Sequence, residues 1–330
     1  MNIRFLLTSS LLMLSVCYGY NIVDIPAKGT EPPNPQAPEG NKMASNFNLP
    51  LKTGGGTQVW TDHIWRDGYR IQQNALTGHW RLLDQTDVRR AWGERGDVDA
   101  MLETLSPKAE FTPGKKPTVI LLHGLMRTHH SFKKLDESLR GVGYDRVIRF
   151  SYASTRFSIS DHAVALRELI EDLPADTELC FVGHSLGNIV VRHLIGDLQR
   201  DGDPHQVIAR CRSMVMLGPP NQGAAIARRL APTGLFGVVT GASGIELGAQ
   251  WDKVREQLAT PPFPFAIVAG DVSENSLKNP LVDGSSDFVV SLEEAKLEGC
   301  ETLTTLPVLH SFLMSDEDAC EFSREFIQTH

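Results

Sequence analysis

Apolar positions follow two regimes along this chain. In the stretch TQVWTDHIWRDGYRIQQNALTGHWRLLD, residues 57–84, aromatic and β-branched side chains alternate with polar ones around the turn dipeptides Asp67-Gly68 and Thr77-Gly78. A period of two marks strands with one buried face, so the region from 54 to 84 predicts two or three antiparallel strands. Further along, the alternation stops. Unbroken apolar runs appear at 118–122 (TVILL), 146–150 (RVIRF), 178–182 (ELCFV), 213–217 (SMVML) and 265–269 (FAIVA), separated by segments long enough for crossover helices. Strands covered on both faces have this pattern, and it predicts a parallel sheet built from βα units. The expected class is α/β, with a mostly parallel central sheet, helices on both of its faces, and antiparallel strands N-terminal to it.

The helices carry signals of their own. Ser158 and Asp161 have capping-box spacing, and Leu166, Leu169, Ile170 and Leu173 line one helical face before Pro174 ends it. Ser315 and Asp318 have the same cap spacing ahead of a last helix with Ala319, Phe322 and Phe326 on one face. No repeat of solenoid or propeller period is visible, and nothing after residue 118 marks a second domain.

The first 19 residues read differently. Arg4 precedes an uncharged apolar run from Phe5 to Cys17 and then small residues, the layout of a secretory signal peptide and too short for a comfortable membrane span. Leu14-Ser15-Val16-Cys17 approaches a lipoprotein box, with Val where a small residue is expected before the Cys. The expected location is therefore outside the cytoplasm: periplasmic, extracellular, or lipid-anchored at the envelope, with membrane association through the N-terminus. Five prolines from Pro26 to Pro38 make residues 20–45 an extended linker, which leaves 46–330 as one domain.

Composition narrows the class of partner. With 41% hydrophobic and 22% charged residues among 330, the chain has the make-up of a soluble globular protein. A net charge of -8 gives nucleic acid little overall attraction. Five cysteines are too few for a disulfide scaffold, although Cys300 and Cys320 could pair in an oxidising compartment, while Cys180 lies inside an apolar strand as a buried thiol. No CxxC or HExxH string gives metal-ligand spacing, and no metal or organic cofactor is expected.

The candidate chemistry starts at Gly183-His184-Ser185-Leu186-Gly187. This G-x-S-x-G string runs from the ELCFV strand into the helical NIVVRHLIGDL, the strand, sharp turn and helix of a nucleophile elbow, with Ser185 as nucleophile. At the end of TVILL, His123-Gly124-Leu125-Met126 can aim a backbone N–H inward, so Leu125 and Leu186 are candidate oxyanion donors, with Met126 the neighbouring alternative. His123 and His184 precede the nucleophile and read as structural; His205 and His330 carry no signal.

These residues resemble the lipase and esterase branch of the α/β-hydrolase superfamily, bacterial triacylglycerol lipases among them, over residues 117–326. The resemblance implies the chain order Ser, acid, His. It points to Asp287 in SSDFVVSLEEA as the acid, with Asp283 and Asp271 as rivals, and to His310 in LPVLHSFLM as the base. It also implies a lid or acyl pocket in the insertion 221–262, where Leu235, Phe236, Val238 and Val239, with Met126, are candidates to line the pocket; packing of that insertion as a core helix is the competing reading. Arg228-Arg229, just upstream of the apolar run 231–251, reads as a solvated helix face. The implied activity is carboxylic ester hydrolysis on a small-molecule or lipid ester; acyl transfer or amide hydrolysis would use the same three residues, and a non-catalytic envelope protein is the alternative of another class.

Overall fold

The computed structural model describes residues 50–53, 55, 58–233, 235–273 and 279–330. The signal peptide, the lipoprotein-box Cys17 and the proline-rich linker lie outside the described residues, as do the side chains of Leu235, Phe236 and Val238. Among the described residues, no helix is long and apolar enough to cross a membrane.

Residues 54–84 form three antiparallel strands, as expected there, and one strand on either side of that stretch brings the sheet to five. The five are β1 (Leu51–Lys52), β2 (Trp60–Arg66), β3 (Tyr69–Asn74), β4 (Trp80–Leu83) and β5 (Val88–Gly93), in the order β1-β5-β4-β3-β2. One layer of this sheet is apolar, with Ile64, Ile71, Leu82 and Ala91 packed on Val98 and Leu102 of helix α1 (Arg95–Leu105). The other is polar and equally buried. Gln72 donates to Asp62 at 2.6 Å, Arg81 donates to Gln72 at 2.8 Å, and the Arg81 guanidinium lies 3.8 Å above the Trp60 ring. Asp62, Gln72 and Arg81 are thus partnered with one another, which is the condition for burying them.

The apolar runs become the parallel strands β6 (Thr118–Leu122), β7 (Val147–Phe150), β8 (Leu179–His184), β9 (Cys211–Leu217) and β10 (Phe265–Gly270). A sixth, β11 (Thr302–Leu306), has the mostly exposed sequence TLTTL and gives no apolar run to read. The order is β11-β10-β9-β8-β6-β7, every pairing parallel. Alternate side chains feed two separate cores: Ile120 and Leu122 point to one, Val119 and Leu121 to the other. Helices α3 (Ile159–Asp172) and α4 (Leu186–Asp201) cover the first face. Helix α2 (Lys133–Gly141) and the C-terminal helix, Glu317–Thr329, cover the second. From β6 the chain moves to β7 on one side and then to β8 on the other, so a topological switch point lies between the carboxyl ends of β6 and β8, where open α/β sheets bind ligands.

Ser158 and Asp161 form the expected capping box. The cap of the last helix is one residue later than the spacing suggests: Asp316 accepts from Ala319 N–H at 3.1 Å, while Ser315 donates to the Phe312 carbonyl. Cys300 and Cys320 are both free thiols. They sit against opposite cores of the sheet and bond separate carbonyls, those of Thr302 and Met314, so the anticipated pairing is not made. Cys180 is buried in β8, and burial pushes its thiol up to about 11.

Helix α5 (Val207–Arg210) leads into β9, and the insertion after β9 contains α6 (Ala225–Leu230), α7 (Leu235–Leu247) and α8 (Trp251–Arg255). Helix α7 breaks at Gly241, whose φ of +68° and approach to Thr155 O, 1.7 Å from where a Cβ would stand, admit only glycine. Ser243 donates to Phe157 O at 2.9 Å and Glu246 accepts from Ile159 N–H at 2.7 Å. The C-terminal part of the insertion is core: Leu247, Trp251 and Val254 are buried.

Candidate active site

Ser185 stands between β8 and α4 with φ +52° and ψ -118°, a conformation that non-glycine residues avoid. The surrounding bonds hold it there. Ser185 N–H donates to Leu217 O on β9 at 2.9 Å, and Asn188 in the first turn of α4 donates from its side chain to Ser185 O at 3.2 Å and Leu217 O at 3.3 Å. A Cβ on Gly187 would stand 2.3 Å from Leu122 O, so the helix can lie against β6 only with glycine there.

Asp287 and His310 come together from separate loops. His310 Nδ1 lies 2.6 Å from Asp287 Oδ2 with both groups buried, and His310 N–H donates to Asp287 O at 2.9 Å. Asp287 Oδ1 accepts from Val289 N–H at 3.0 Å and from Val290 N–H at 2.7 Å, which fixes the carboxylate and fills its second oxygen. His310 therefore carries its proton on Nδ1, toward Asp287, and leaves the Nε2 lone pair available. The ring of His310 stands 4.7 Å from that of His184, the neighbour of Ser185. No hydrogen bond yet joins Ser185 Oγ to His310 among the described residues, a looseness common before substrate binds.

The rival acids face elsewhere. Asp283 makes an exposed two-pronged pair with Arg229 at 2.9 and 2.7 Å, and Asp271 accepts from Ser273. Arg228 reaches Glu294 at 3.4 Å.

At the turn after β6, a Cβ on Gly124 would stand 3.2 Å from Ser185 Cβ, so this turn lies against Ser185. Met126 has φ +59°, and its N–H donates to Ser154 Oγ at 3.1 Å. Leu125 N–H on this turn and Leu186 N–H, at the first residue of α4 where no intrahelical acceptor exists, remain the candidate oxyanion donors. Val239 is half-buried on α7, and Met126 is half-buried on the turn.

The two other histidines of the motifs hold loops. His123 lies stacked on Tyr152 at 4.1 Å and bonds the Gly124 carbonyl at 2.9 Å; burial pushes its pKa down to about 4. His184 Nε2 donates to His310 O at 2.9 Å, and burial, with His310 beside it, holds His184 neutral. This tie between elbow and His loop has no signal in the sequence, since the partners are 126 positions apart. Asn188, a polar residue within an apolar helical run, is the one missed support that the sequence could have flagged. Among the described residues no group of three or more His, Cys, Asp or Glu side chains could hold a metal ion.

The architecture is the α/β-hydrolase fold. It is similar to a lipase of Bacillus licheniformis, BlEst2 in its mature form, with a TM-score of 0.51 at 18% identity over 66% of this chain and 94% of that one. A phospholipase of Legionella pneumophila, PlaB, matches at TM-score 0.49 and 15% identity over 65% of this chain and 60% of that one. A monoacylglycerol lipase of Paleococcus ferrophilus matches at TM-score 0.43 and 15% identity over 65% and 95%. No curated protein matches in sequence. Residues 80–260, more than half of the chain, match the family profile described as "Domain of unknown function (DUF7379)", and the chain belongs to that family.

Proposed function

We propose that this protein is a serine hydrolase that cleaves carboxylic esters. Ser185 Oγ attacks the ester carbonyl while His310 Nε2 takes its proton, and Asp287 orients the imidazole and stabilises its charged form. The N–H groups of Leu125 and Leu186 hold the oxyanion of the tetrahedral intermediate. As it collapses, the alcohol leaves with the proton from His310; a water molecule, deprotonated by His310, then frees the acid from Ser185. The observation that supports this reading most is the 2.6 Å bond from His310 to an Asp287 whose other oxygen is filled by backbone N–H groups, beside a serine held at φ +52°. The fold is also that of a lipase. The substrate class belonging to this reading is an uncharged ester, small or lipid, met outside the cytoplasm after removal of residues 1–19.

A fluorophosphonate probe tests the chemistry. Labelling of the wild type, absent in Ser185→Ala, is the expected result; an unlabelled wild type, or equal labelling of both, would sink the proposal. Mass spectrometry of the N-terminus of the cell-derived protein tests export: a start near Tyr20 is expected, and an intact Met1 contradicts it.

A further inference from the structure

The antiparallel N-terminal sheet contributes none of the reacting groups, yet it is fastened along the segment that follows β7. Asp62 N–H donates to Ser151 O at 2.8 Å, Ser151 N–H donates to Asp62 Oδ2 at 2.7 Å, and Ala153 N–H donates to Thr61 Oγ1 at 3.1 Å. The fastening ends at Gln58. Its Oε1 accepts from Ser154 Oγ at 3.0 Å and from Thr155 Oγ1 at 3.3 Å, while its Nε2 donates to the carbonyl of Arg127.

Ser154 is fully buried and uses its hydroxyl in both directions: the proton goes to Gln58, and the oxygen accepts Met126 N–H at 3.1 Å. Two points of the turn after β6 are thereby tied to one glutamine, Met126 through Ser154 and Arg127 directly. Between them and Gly124 sits Leu125. Met126 at φ +59° is in a region that costs a non-glycine residue on the order of 1 kcal/mol or more, and such a residue stays there only where its surroundings hold it.

We propose that Gln58 and Ser154 are positioning residues of the oxyanion turn, holding Leu125 N–H on the carbonyl oxygen of a bound ester; this rests on Ser185 being an ester-cleaving nucleophile. The N-terminal sheet is then a working part of the hydrolase. A donor fixed in advance stabilises the charge that develops on the oxygen and does little for the neutral carbonyl of the ground state, so its loss lowers kcat and spares KM.

The experiment compares Ser154→Ala and Gln58→Ala with the wild type on a nitrophenyl ester and on its thionoester, whose C=S accepts hydrogen bonds weakly. In both variants ester kcat is expected to fall roughly tenfold with KM within about twofold, as for a modestly misplaced group. Thionoester kcat should fall less, which shrinks the ester-to-thionoester ratio. Ser154→Ala removes one buried atom and Gln58→Ala alters a half-buried side chain, so misfolding of either leaves the other to decide. A purely structural role depresses both substrates alike. An unchanged ratio in the folded variants therefore overturns the proposal, whether kcat is kept or falls in parallel. Fluorophosphonate labelling of the wild type, lost in Ser185→Ala, checks the underlying reading by itself; its absence would overturn both.

Discussion

The two sheets bury polarity in opposite ways. In the antiparallel sheet, charged and amide groups go inside as a bonded set, with Asp62, Gln72 and Arg81 joined side chain to side chain and Arg66 paired with Asp172 at 3.1 Å. At the carboxyl ends of the parallel sheet, apolar strands deliver histidines instead, and burial keeps His123 and His184 neutral. A bonded ionic set makes a rigid attachment, and its members depend on one another. Neutral imidazoles add no positive charge of their own beside Ser185, so in the proposed reaction the charge that His310 gains is met by the Asp287 carboxylate. The ion-paired region is the holding one; the neutral rings flank the proposed reacting group.

The largest expected effects lie in the reacting region. Ser185→Ala and His310→Ala should each lower ester turnover by at least about 10³-fold in a folded protein, because the triad acts as a unit. Asp287→Asn should be similarly severe, since it favours the wrong imidazole tautomer. Asp283→Asn should stay within about twofold, as an exposed pair with Arg229 contributes little. Steady-state kinetics on a nitrophenyl ester ranks the four, and a severe Asp283→Asn beside a mild Asp287→Asn would move the acid.

The holding region should respond in stability. Asp62→Ala removes the carboxylate that accepts from Gln72 Nε2 and Ser151 N–H and that faces the Arg70 guanidinium 3.8 Å away, all buried. Loss of one member of such a set costs about 3 kcal/mol, readable from the urea midpoint. A loss under about 1 kcal/mol would mean that water replaces the carboxylate and that the attachment is looser than its bonds suggest.

Acid should act through the neutral histidines. His162 on α3 packs against Tyr152 with neither ring nitrogen bonded among the described residues, and burial pushes its pKa down to about 3. The unfolded chain takes up a proton near pH 6.5 that the folded one refuses until about pH 3. The stabilisation is thus complete above the unfolded value and is lost as the pH falls through that window, by about 2 kcal/mol at pH 5 for this one group. His162→Phe keeps the ring and removes the proton, so its stability relative to wild type should rise by about that amount between pH 8 and pH 5. Parallel pH profiles for the two proteins would show that His162 already titrates normally.

The same contrast decides what could be read from the sequence. TVILL and FAIVA declare doubly covered strands because apolar burial needs only composition, and the elbow declares itself because a tight turn demands glycines at fixed offsets. TLTTL does not, since an edge strand needs no apolar face; five strands are legible and the sixth is not. The likeness of SSDFVV to an acid loop separates Asp287 from Asp283 four residues earlier, which spacing alone cannot do. The ties from Gln58 to Ser154 and from His184 to His310 leave no local trace, because each is a hydrogen bond between residues about a hundred positions apart. The cap of the last helix is displaced by one residue because Ser315 and Asp316 are both good caps, and only the backbone chooses between them.

The smallest effects concern the insertion, which belongs to neither regime. Helix α7 is apolar, carries no Lys or Arg, and breaks at Gly241 against the Thr155 carbonyl, with Val239 half-buried just before the break. If it covers the acyl chain of the substrate, each added methylene removes apolar surface from water and contributes about 0.8 kcal/mol, up to about a fourfold gain in kcat/KM. A series of nitrophenyl esters from acetate to octanoate should climb at that rate and then level off where the pocket is full. Val239→Trp should move the plateau to a shorter chain while leaving acetate within about twofold, because filling the far end of a pocket does not touch the carbonyl. A steady fall from acetate onward would instead assign α7 to the core, as Leu247 and Trp251 at its C-terminal side already are, and the enzyme would be a short-chain esterase.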